Sequence, residues 1–302
     1  MTSIDALVAR AGTRAREHAP LGAMTTYRVG GRARVLVSAS SVSDLEELAP
    51  LIEATQLPLV VIGNGSNLLV AEGEHQIVAL HLVGEFADVR WRREGDVVVV
   101  EAGGAVDLPV AARRLAHAGV GGFEWAVGVP GTVGGAVAMN AGGHGSDMAA
   151  SVRTVTLWRG GLEVVGAEAM GFAYRTSSLG AGDVVIAATL HLAPGDPQWS
   201  DERIREIVRW RRANQPGGAN GGSVFRNPEG DAAGRLIEAA GCKGLRVGSA
   251  VVSEKHANFI LVDAAGRADD VHDLMVMVAG RVREATGVTL VAENRLLGFE
   301  ER

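Results

Sequence analysis

A run of glycines and small apolar residues near the middle of the chain limits most strongly what this sequence can form. It occupies residues 128–143, carries no charged side chain, and reads Gly-Val-Pro-Gly-Thr-Val-Gly-Gly-Ala-Val-Ala-Met-Asn-Ala-Gly-Gly. Glycine lets a ligand or another backbone approach closely and permits positive φ. The run therefore favours contact with a planar ring and a diphosphate that takes the freed amides. A tight loop packed on a sheet explains the same pattern, because glycine clusters are common in turns.

The composition narrows the class of protein. The chain has 302 residues, enough for two or three domains, and 47% of them are apolar. With 4% aromatic residues and a net charge of −6, it lacks the basic, aromatic surface typical of nucleic-acid binding. Neither a membrane-spanning run nor a signal peptide is recognisable, so we expect a cytoplasmic protein without membrane insertion.

Cysteine and histidine chemistry contributes little to the prediction. Cys242 is the single cysteine, which excludes an internal disulfide, and a packing role is expected for it. No spacing of His, Asp and Glu resembles a metal site, so no metal is expected. His144 borders the glycine run and is interpreted as a surface histidine.

Hydrophobic periodicity predicts a mixture of helices and strands. Helices are predicted at residues 3–17 with Ser3 as the cap, and at 43–55, 107–118, 201–213, 232–240 and 269–286. Strands are predicted at residues 35–37, 57–62, 77–83, 86–91, 97–101, 151–158, 184–192, 247–252 and 258–262. A composition break at residues 193–197 predicts a linker before the C-terminal third.

Two further segments predict ligand contacts. The strand at 57–62 runs into Gly63-Asn64-Gly65-Ser66-Asn67, whose amides and polar side chains suit phosphate oxygens, although it lacks the P-loop lysine and the GxGxxG spacing. In the other segment Arg28 precedes Gly30 and Gly31. Such an arginine either meets a phosphate or is a solvated charge on a turn.

Four segments together resemble the UDP-N-acetylenolpyruvoylglucosamine reductase family, flavoenzymes of peptidoglycan precursor synthesis. They are Tyr-Arg-Val-Gly-Gly at 27–31, Gly-Asn-Gly-Ser-Asn at 63–67, the glycine run through residue 142, and Gly-Ser-Val-Phe-Arg-Asn-Pro at 222–228. Tyr-Arg-Thr-Ser at 174–177 and Ala-Glu-Asn-Arg-Leu-Leu-Gly at 292–298 follow in the family's order. The resemblance spans residues 20–299 and is that of the family's shorter form.

The resemblance implies an α+β fold with an FAD-binding cradle of the vanillyl-alcohol oxidase type. Residues 1–85 and 86–197 would form its two subdomains, and 198–302 a C-terminal α+β substrate-binding domain. The FAD is expected to be non-covalent, because residues 63–67 offer no histidine for a tether. Cofactor contacts are expected from Tyr27, Arg28, Gly63, Asn64, Gly65, Ser66, Asn67, Gly128, Pro130, Gly131, Gly134, Gly135, Ala136, Asn140 and Ala141.

The implied reaction is the NADPH-dependent reduction of UDP-N-acetylglucosamine enolpyruvate to UDP-N-acetylmuramate, which serves cell-wall biogenesis, cell shape and cell division. Arg175 would stabilise the developing enolate. Ser223, at a predicted strand start, would protonate C2. Glu293 would orient the arginine or, if protonated, donate to the substrate carboxylate. Substrate contacts are expected from Tyr174, Arg211, Arg226 and Asn227. A monomer would suffice.

One departure from the family concerns the substrate. Asn214 stands where many relatives carry a lysine, which leaves Arg211, Arg212 or Arg226 to supply charge to the UDP diphosphate.

Competing interpretations remain open from the residues alone. A flavin oxidase or dehydrogenase acting on an alcohol would keep residues 25–145 and lose the roles of Ser223 and Glu293. A non-enzymatic UDP-sugar- or flavin-binding protein, or a glycine-rich protein without cofactor, would also carry much of this pattern. Outside the family context, Arg175 is a solvated loop arginine, Ser223 a turn hydroxyl and Glu293 an ion-pair partner of Arg295.

Overall fold

The computed structural model describes residues 2–299. These residues form two compact units, each assembled from separate parts of the chain. The first contains the described residues through His18, then Arg34–Gly63 and Gln76–Trp210. The second contains Ala19–Ala33, Asn64–His75 and the described residues from Arg211 onward. The division into 1–85, 86–197 and 198–302 stays a prediction.

Helices and strands alternate irregularly along the chain. The helices are α1 (Ser3–Ala11), α2 (Leu21–Met24), α3 (Val42–Ala54), α4 (Leu108–His117), α5 (Val133–Met139), α6 (Pro197–Asn214), α7 (Ala233–Ala239) and α8 (Ala268–Thr286). The strands are β1 (Ala15–Ala19), β2 (Arg32–Ala39), β3 (Leu59–Val61), β4 (Leu68–Val70), β5 (Glu74–Leu82), β6 (Val89–Glu94), β7 (Val97–Gly103), β8 (Val120–Gly121), β9 (Gly142–Gly143), β10 (Ser146–Asp147), β11 (Val152–Trp158), β12 (Leu162–Gly166), β13 (Val184–Pro194), β14 (Arg246–Val247), β15 (Ala250–Val252), β16 (Ile260–Val262) and β17 (Arg295–Leu297).

A four-stranded sheet in the order β1-β2-β5-β3 supports the N-terminal part of the first unit. Strand β2 alternates buried and half-buried positions, as expected for a strand with one face on a core. Its Val35 and Val37 pack with Leu7 of α1 and Leu48 of α3. This sheet holds β3, whose end leads directly into Gly63.

A six-stranded sheet carries the rest of the first unit. Its order is β12-β11-β13-β7-β6, with β8 paired to the end of β13. Leu115 of α4 and Val137 of α5 are fully buried in the core that includes this sheet. Because α5 also contacts β13, the sheet fixes the glycine run in place.

The second unit combines C-terminal elements with two N-terminal segments. An antiparallel sheet β14-β15-β16 packs against α8, and β17 pairs in parallel with β4. Its core includes Leu274 of α8 together with Tyr27 and Leu69. The C-terminal core is therefore completed by residues from both predicted N-terminal ligand segments.

Most predicted elements are confirmed within a few residues, and several ends are corrected. The first helix stops at Ala11 rather than 17, because Gly12 takes φ 58° and the chain turns into β1. Its cap is Thr2, not Ser3. Helix α3 begins at Val42 rather than 43 and is capped by Ser41.

Three strand predictions also change. The predicted buried strand 57–62 is the three-residue edge strand β3, whose residues are half-buried or exposed. The strand 247–252 is a hairpin, since β14 and β15 flank a turn at Gly248 and Ser249. Ser223 lies in a loop rather than at a strand start.

Candidate active site

The glycine run is partly helical. Residues Val133–Met139 form α5, and the side chain of Thr132 caps it by accepting a hydrogen bond from the Gly135 amide at 3.3 Å. The amides of Val133 and Gly134 donate to the carbonyls of Val106 and Gly104, each at 2.8 Å. The first amides of this helix are therefore used inside the protein, and a phosphate would need amides from elsewhere.

Gly63 lies against the cap of α5. A Cβ atom added at Gly63 would come within 2.6 Å of the Thr132 hydroxyl oxygen, a distance that real Cβ atoms do not reach. Only glycine fits there without movement of the cap. The structure thus brings the end of β3 and the glycine run together, as the sequence predicted for a shared ligand.

Gly65 serves a similar close approach in the second unit. Its φ is +58°, and a Cβ there would lie 2.7 Å from the Cα of Thr25. The amide of Thr26 donates to the Gly65 carbonyl at 3.2 Å. The Oγ1 atom of Thr26 is buried and has no hydrogen-bond partner among the described residues. The segment that leads to Arg28 therefore meets the loop after Gly63, and the unpartnered polar group at this contact is the Thr26 hydroxyl.

Tyr27 and Asn67 are held by other side chains. Tyr27 has no exposed surface, burial raises the pKa of its hydroxyl, and that hydroxyl donates to Asn294 Oδ1 at 2.9 Å. The Asn67 side chain donates from Nδ2 to the Glu293 carbonyl at 3.1 Å, and its Oδ1 accepts from Asn294 Nδ2 at 2.9 Å. Both side chains are committed to structure, and their contact with a cofactor stays a prediction.

The other predicted cofactor residues occupy varied positions. Arg28 is exposed with φ 60°, an uncommon conformation for a residue other than glycine. Asn64 and Pro130 are exposed, Gly128 and Ser66 half-buried, and Ala136 buried in the core. Gly131 has φ 120° and its carbonyl accepts from the Leu108 amide at 3.0 Å. The Ala141 amide donates to the Ala136 carbonyl at 2.8 Å and closes the end of α5.

The first turn of α5 fits a flat cofactor. Gly135 is exposed, and a Cβ there would meet only the Thr132 hydroxyl, at an ordinary 3.6 Å. Packing therefore does not require glycine at this position, and close approach by a ligand is the remaining physical reason for it. Residues 64–67, which belong to the second unit, carry amide and hydroxyl side chains and no histidine. Each of the two segments, taken by itself, thus fits non-covalent FAD.

Arg175 lies at the tip of a tight turn. Ala173 and Thr176 exchange two backbone hydrogen bonds of 3.1 Å, which leaves Tyr174 and Arg175 between them. Arg175 has φ 57°, and its guanidinium donates to the Gly142 carbonyl at 3.0 Å and lies 5.1 Å from the Tyr174 ring centroid. The predicted catalytic arginine is thus anchored to the glycine run.

Asn140, in the glycine run, is hydrogen-bonded to the turn that carries Arg175. This buried residue adopts the left-handed conformation at the end of α5. Its Nδ2 donates to the Ala173 carbonyl at 3.1 Å, and its Oδ1 accepts from the Ala149 amide at 2.9 Å. This side chain therefore holds the loop, and its expected contact with a cofactor stays a prediction.

Ser223 and Glu293 are brought together in the second unit. The Glu293 amide donates to the carbonyl of Val224, the residue after Ser223, at 2.7 Å. Phe225 and Ala292 form an antiparallel bridge beside it. Asn258 holds the same strip, since its side chain accepts from the Phe225 amide at 3.0 Å and donates to the Phe225 carbonyl at 2.8 Å. Arg175 belongs to the first unit.

Two of the predicted substrate contacts are the cationic side chains of Arg211 and Arg226. Burial lowers the pKa of the half-buried Arg211 guanidinium, whose Nε donates to the neutral Gln215 Oε1 at 2.8 Å. The Nε of Arg226 is buried without a hydrogen-bond partner in the described part of the chain. Both arginines therefore suit an anion, which would neutralise the Arg211 charge and supply an acceptor for Arg226 Nε.

The remaining predicted contacts are divided. Tyr174 is 52% exposed and free to meet a ligand, whereas Asn227 Oδ1 accepts from the Ala233 amide at the start of α7 at 3.0 Å. Lys255 is a cation that the sequence analysis missed. Its ammonium donates to the Arg212 carbonyl, two residues before Asn214. A contact between residues 43 apart leaves no local sequence signal.

The residues set aside as structural behave differently from one another. Cys242 is buried and burial raises its thiol pKa, which confirms packing. His144 is half-buried, and its ring lies edge-on to Trp210 at 5.1 Å. Within residues 2–299 no cluster of His, Cys, Asp and Glu is arranged to hold a metal ion.

Comparison with known proteins identifies the family. The chain is 42% identical over 286 residues to UDP-N-acetylenolpyruvoylglucosamine reductase of Paramagnetospirillum magneticum, covering 93% of this chain and 91% of that protein. The chain belongs to the UDP-N-acetylenolpyruvoylglucosamine reductase family. A relative from Rubrobacter xylanophilus is 41% identical, with 92% and 94% of the two chains covered.

Domain models and a solved structure agree with this membership. Residues 214–297 match the C-terminal domain of UDP-N-acetylenolpyruvoylglucosamine reductase, and residues 33–166 match an FAD binding domain. The crystal structure of the Thermus caldophilus reductase is similar with a TM-score of 0.79 and 36% identity, covering 92% of this chain and 97% of that one. The predicted fold, an α+β FAD-binding part with a C-terminal domain, is confirmed for this member of the reductase family.

The FAD-binding match includes the glycine run and the loop after Gly63, where the geometry fits a cofactor. The reductase match includes Ser223 and Glu293, the two candidates that the structure brings together. None of the helices in residues 2–299 has the length and apolar character needed to cross a bilayer.

Proposed function

We propose that this family member reduces UDP-N-acetylglucosamine enolpyruvate to UDP-N-acetylmuramate with NADPH and non-covalent FAD, a step of peptidoglycan precursor synthesis. The observation that carries the proposal is the hydrogen bond from the Glu293 amide to the Val224 carbonyl. It supports the pairing of Ser223 with Glu293 as proposed proton donor and acid, and both lie in the segment 214–297 that matches the reductase family.

The overall reaction balances as a two-electron reduction. NADPH is oxidised to NADP⁺, a hydride equivalent is added to C3 of the enolpyruvyl ether, and a proton is added to C2. When bound, FAD supplies the hydride chemistry that links NADPH to the substrate. The protein's own residues bind, orient and polarise.

Charge stabilisation is the role proposed for Arg175. Addition at C3 moves negative charge toward the substrate carboxylate, where a fixed guanidinium stabilises the transition state more than the ground state. Two hydrogen bonds hold Arg175 in position before the substrate binds. One runs from its guanidinium to the Gly142 carbonyl, and the other runs from the Asn140 side chain to the Ala173 carbonyl in the same turn. Such preorganisation is what electrostatic catalysis requires.

Proton delivery is the role proposed for Ser223. A hydroxyl is a weak acid, so its proton must be replaced from a neighbour or a water chain as it leaves. Glu293, fixed to the next residue along, is the proposed second group. It orients the substrate carboxylate or, when protonated, donates a hydrogen bond to it.

The UDP diphosphate is proposed to bind Arg211 and Arg226, with Tyr174 and Asn227 as further substrate contacts. Lys255 joins them as a candidate replacement for the missing lysine at Asn214, because its ammonium donates to the Arg212 carbonyl, two residues before Asn214. We place the reaction in the cytoplasm and propose a monomer, since each proposed residue is on one chain. Size-exclusion chromatography with light scattering tests the monomer.

An anaerobic experiment tests the proposed function. Purified protein with bound flavin is reduced by NADPH and then mixed with the enolpyruvyl UDP-sugar. Rapid return of the oxidised flavin spectrum with formation of the lactyl ether is the expected result. Reoxidation by oxygen alone would overturn the substrate and favour a flavin oxidase, and bound flavin that NADPH cannot reduce would favour a binding protein.

A further inference from the structure

Asn294 is a buried residue outside every role assigned so far, and its side chain lies at the centre of a network in the second unit. It is 4% exposed. Its Nδ2 donates to Asn67 Oδ1 and to the Gly221 carbonyl, each at 2.9 Å, with the Ser223 carbonyl at 3.4 Å. Its Oδ1 accepts from the Tyr27 hydroxyl at 2.9 Å.

The partners of Asn294 come from distant parts of the sequence. Asn67 is 227 residues away, Tyr27 is 267, and Gly221 is 73. One amide therefore ties together the loop after Gly63, the buried tyrosine and the strip that contains Ser223. Both of its N–H bonds and its oxygen are used, as a buried amide requires.

The network also fixes Glu293, the neighbour of Asn294. The Asn67 side chain donates to the Glu293 carbonyl, and the Arg295 amide donates to the Asn67 carbonyl at 2.9 Å. Beyond them β17 pairs with β4 in parallel, from Arg295 opposite Leu68 onward. One hydrogen bond with Asn67 of the predicted cofactor loop thus involves the acid candidate itself, and a second involves Arg295, two residues further on.

Close packing leaves this network little freedom to shift. A Cβ atom added at Gly221 would lie 2.4 Å from the Tyr27 ring, so the ring lies directly on that backbone. The Tyr27 hydroxyl in turn sets the orientation of the Asn294 amide, because a donor there selects the oxygen side. Ring and amide together hold the backbone on either side of Gly222.

We propose that Asn294 is a positioning residue that fixes Ser223 and Glu293 relative to each other and to Asn67. The proposal rests on the function proposed above, because it assigns Ser223 and Glu293 their roles in the second half of that reaction. An error of about 1 Å in the placement of a reacting group costs on the order of 100-fold in rate. Loss of the Asn294 amide therefore slows the half-reaction with the enolpyruvyl UDP-sugar more than it slows flavin reduction by NADPH.

The first test compares half-reactions in the flavin-loaded protein. In Asn294→Ala, reoxidation by the enolpyruvyl UDP-sugar should slow about 10- to 100-fold, whereas reduction by NADPH should change less than about threefold. Tyr27→Phe removes one hydrogen bond and leaves the Asn294 donors, so its effect should be intermediate. A double variant with Asn67→Ala should be non-additive, because neighbouring groups in one network couple.

A matched control separates positioning from stability. Val278→Ala shortens a buried side chain of α8 in the same core and removes none of the hydrogen bonds of the network. It should lower the unfolding temperature and leave both half-reactions per flavin-loaded molecule unchanged. If Asn294→Ala instead behaves like Val278→Ala, or slows both half-reactions equally, the positioning role is wrong.

A second readout does not depend on activity. Amide hydrogen exchange of the oxidised holoprotein should show lost protection in Asn294→Ala at residues 221–226 and 291–297, with α8 unchanged. Val278→Ala should show the reverse pattern, centred on α8. Unchanged protection at 221–226 would overturn the proposal. Wild-type protein that fails to react with the substrate would contradict the proposed function and leave this structural test intact.

Discussion

The side-chain amide of Asn67 donates a hydrogen bond of 3.1 Å to the backbone carbonyl of Glu293. Asn67 ends the predicted cofactor loop and Glu293 is a catalytic candidate, so one contact joins two parts of the proposed chemistry. It is reinforced by the Arg295 amide, which donates to the Asn67 carbonyl at 2.9 Å. A change in the loop is therefore transmitted to the backbone of the acid through the Asn67 side chain.

Gly135→Ala is expected to weaken FAD binding without harming the fold. The added methyl group meets only Thr132 Oγ1 at 3.6 Å, and alanine is favoured over glycine in a helix by about 0.5–1 kcal/mol. The apoprotein should therefore unfold at the same or a higher temperature. FAD affinity, measured by fluorescence titration, should fall by about tenfold or more, which is about 1.4 kcal/mol.

Two other glycines serve as comparisons for this prediction. Gly280 lies within α8 with nothing within 4 Å of an added Cβ, so Gly280→Ala should stabilise the protein and leave FAD affinity unchanged. Gly63→Ala should instead destabilise by roughly 1–3 kcal/mol, because its methyl group overlaps Thr132. Wild-type FAD affinity in Gly135→Ala would show that the flavin does not lie on this turn.

Ser223→Ala is expected to affect proton delivery alone. Removal of a general acid lowers a rate by about 10²- to 10⁴-fold. Anaerobic stopped-flow absorbance should show slow reoxidation by the enolpyruvyl UDP-sugar and unchanged reduction by NADPH. The solvent deuterium isotope effect on reoxidation should change with it.

Ser249→Ala is the control for the serine. The Ser249 hydroxyl donates to Asp270 Oδ2 at 2.6 Å and caps the turn before α8, so its loss should lower the unfolding temperature only. Near-normal reoxidation in Ser223→Ala would assign the proton to another group, with Glu293 the first to examine.

Glycine positions in the sequence predicted tight backbone geometry correctly, because glycine spacing reports directly on backbone conformation. Gly63, Gly65 and Gly131 lie where positive φ or close approach demands them. The same signals explain two errors. Gly12 marks the true end of the first helix, and Gly248 marks the turn that divides a predicted strand, so both were available as breakers.

The polar contacts inside the site were not predictable in this way. Asn67 and Asn294 are 227 residues apart, and no periodicity links one buried amide to another across such a distance. Lys255 and Arg212 present the same difficulty. Ser223 was placed at a strand start just after the glycines at 221 and 222, but of the residues that follow only Phe225 forms a bridge. These features depend on tertiary packing, which a single sequence does not display.

Arg175→Met is expected to lower kcat for the enolpyruvyl UDP-sugar by about 10²- to 10³-fold, the loss typical of one oxyanion-stabilising donor. The charge acts on the transition state, so KM should change little. Arg175→Lys should recover part of the rate, because lysine keeps the charge but not the planar fork. Steady-state kinetics under saturating NADPH measures both constants.

An exposed arginine of the same unit provides the comparison. Arg93 donates to the Gly95 carbonyl at 3.0 Å on the surface, and Arg93→Met should leave kcat and KM at wild-type values. If Arg175→Met raises KM at constant kcat, the arginine binds substrate and transition state equally, and its catalytic role is wrong.

Arg211→Met is expected to weaken UDP-sugar binding while leaving the fold as stable as before or more stable. Burial already lowers the pKa of this guanidinium, and its side chain donates to the neutral Gln215 rather than to a carboxylate. Replacing a desolvated charge by an apolar side chain of similar length is often neutral or stabilising. A residue kept charged at such a cost points to an anionic ligand.

Calorimetric titration of UDP into the oxidised Arg211→Met protein should show affinity lower by about 10- to 100-fold, or roughly 1.4–2.8 kcal/mol, and a weaker dependence of that affinity on salt. Lys255→Met in parallel decides which cation compensates for Asn214. A loss confined to Lys255→Met would transfer the diphosphate contact from Arg211 to that lysine.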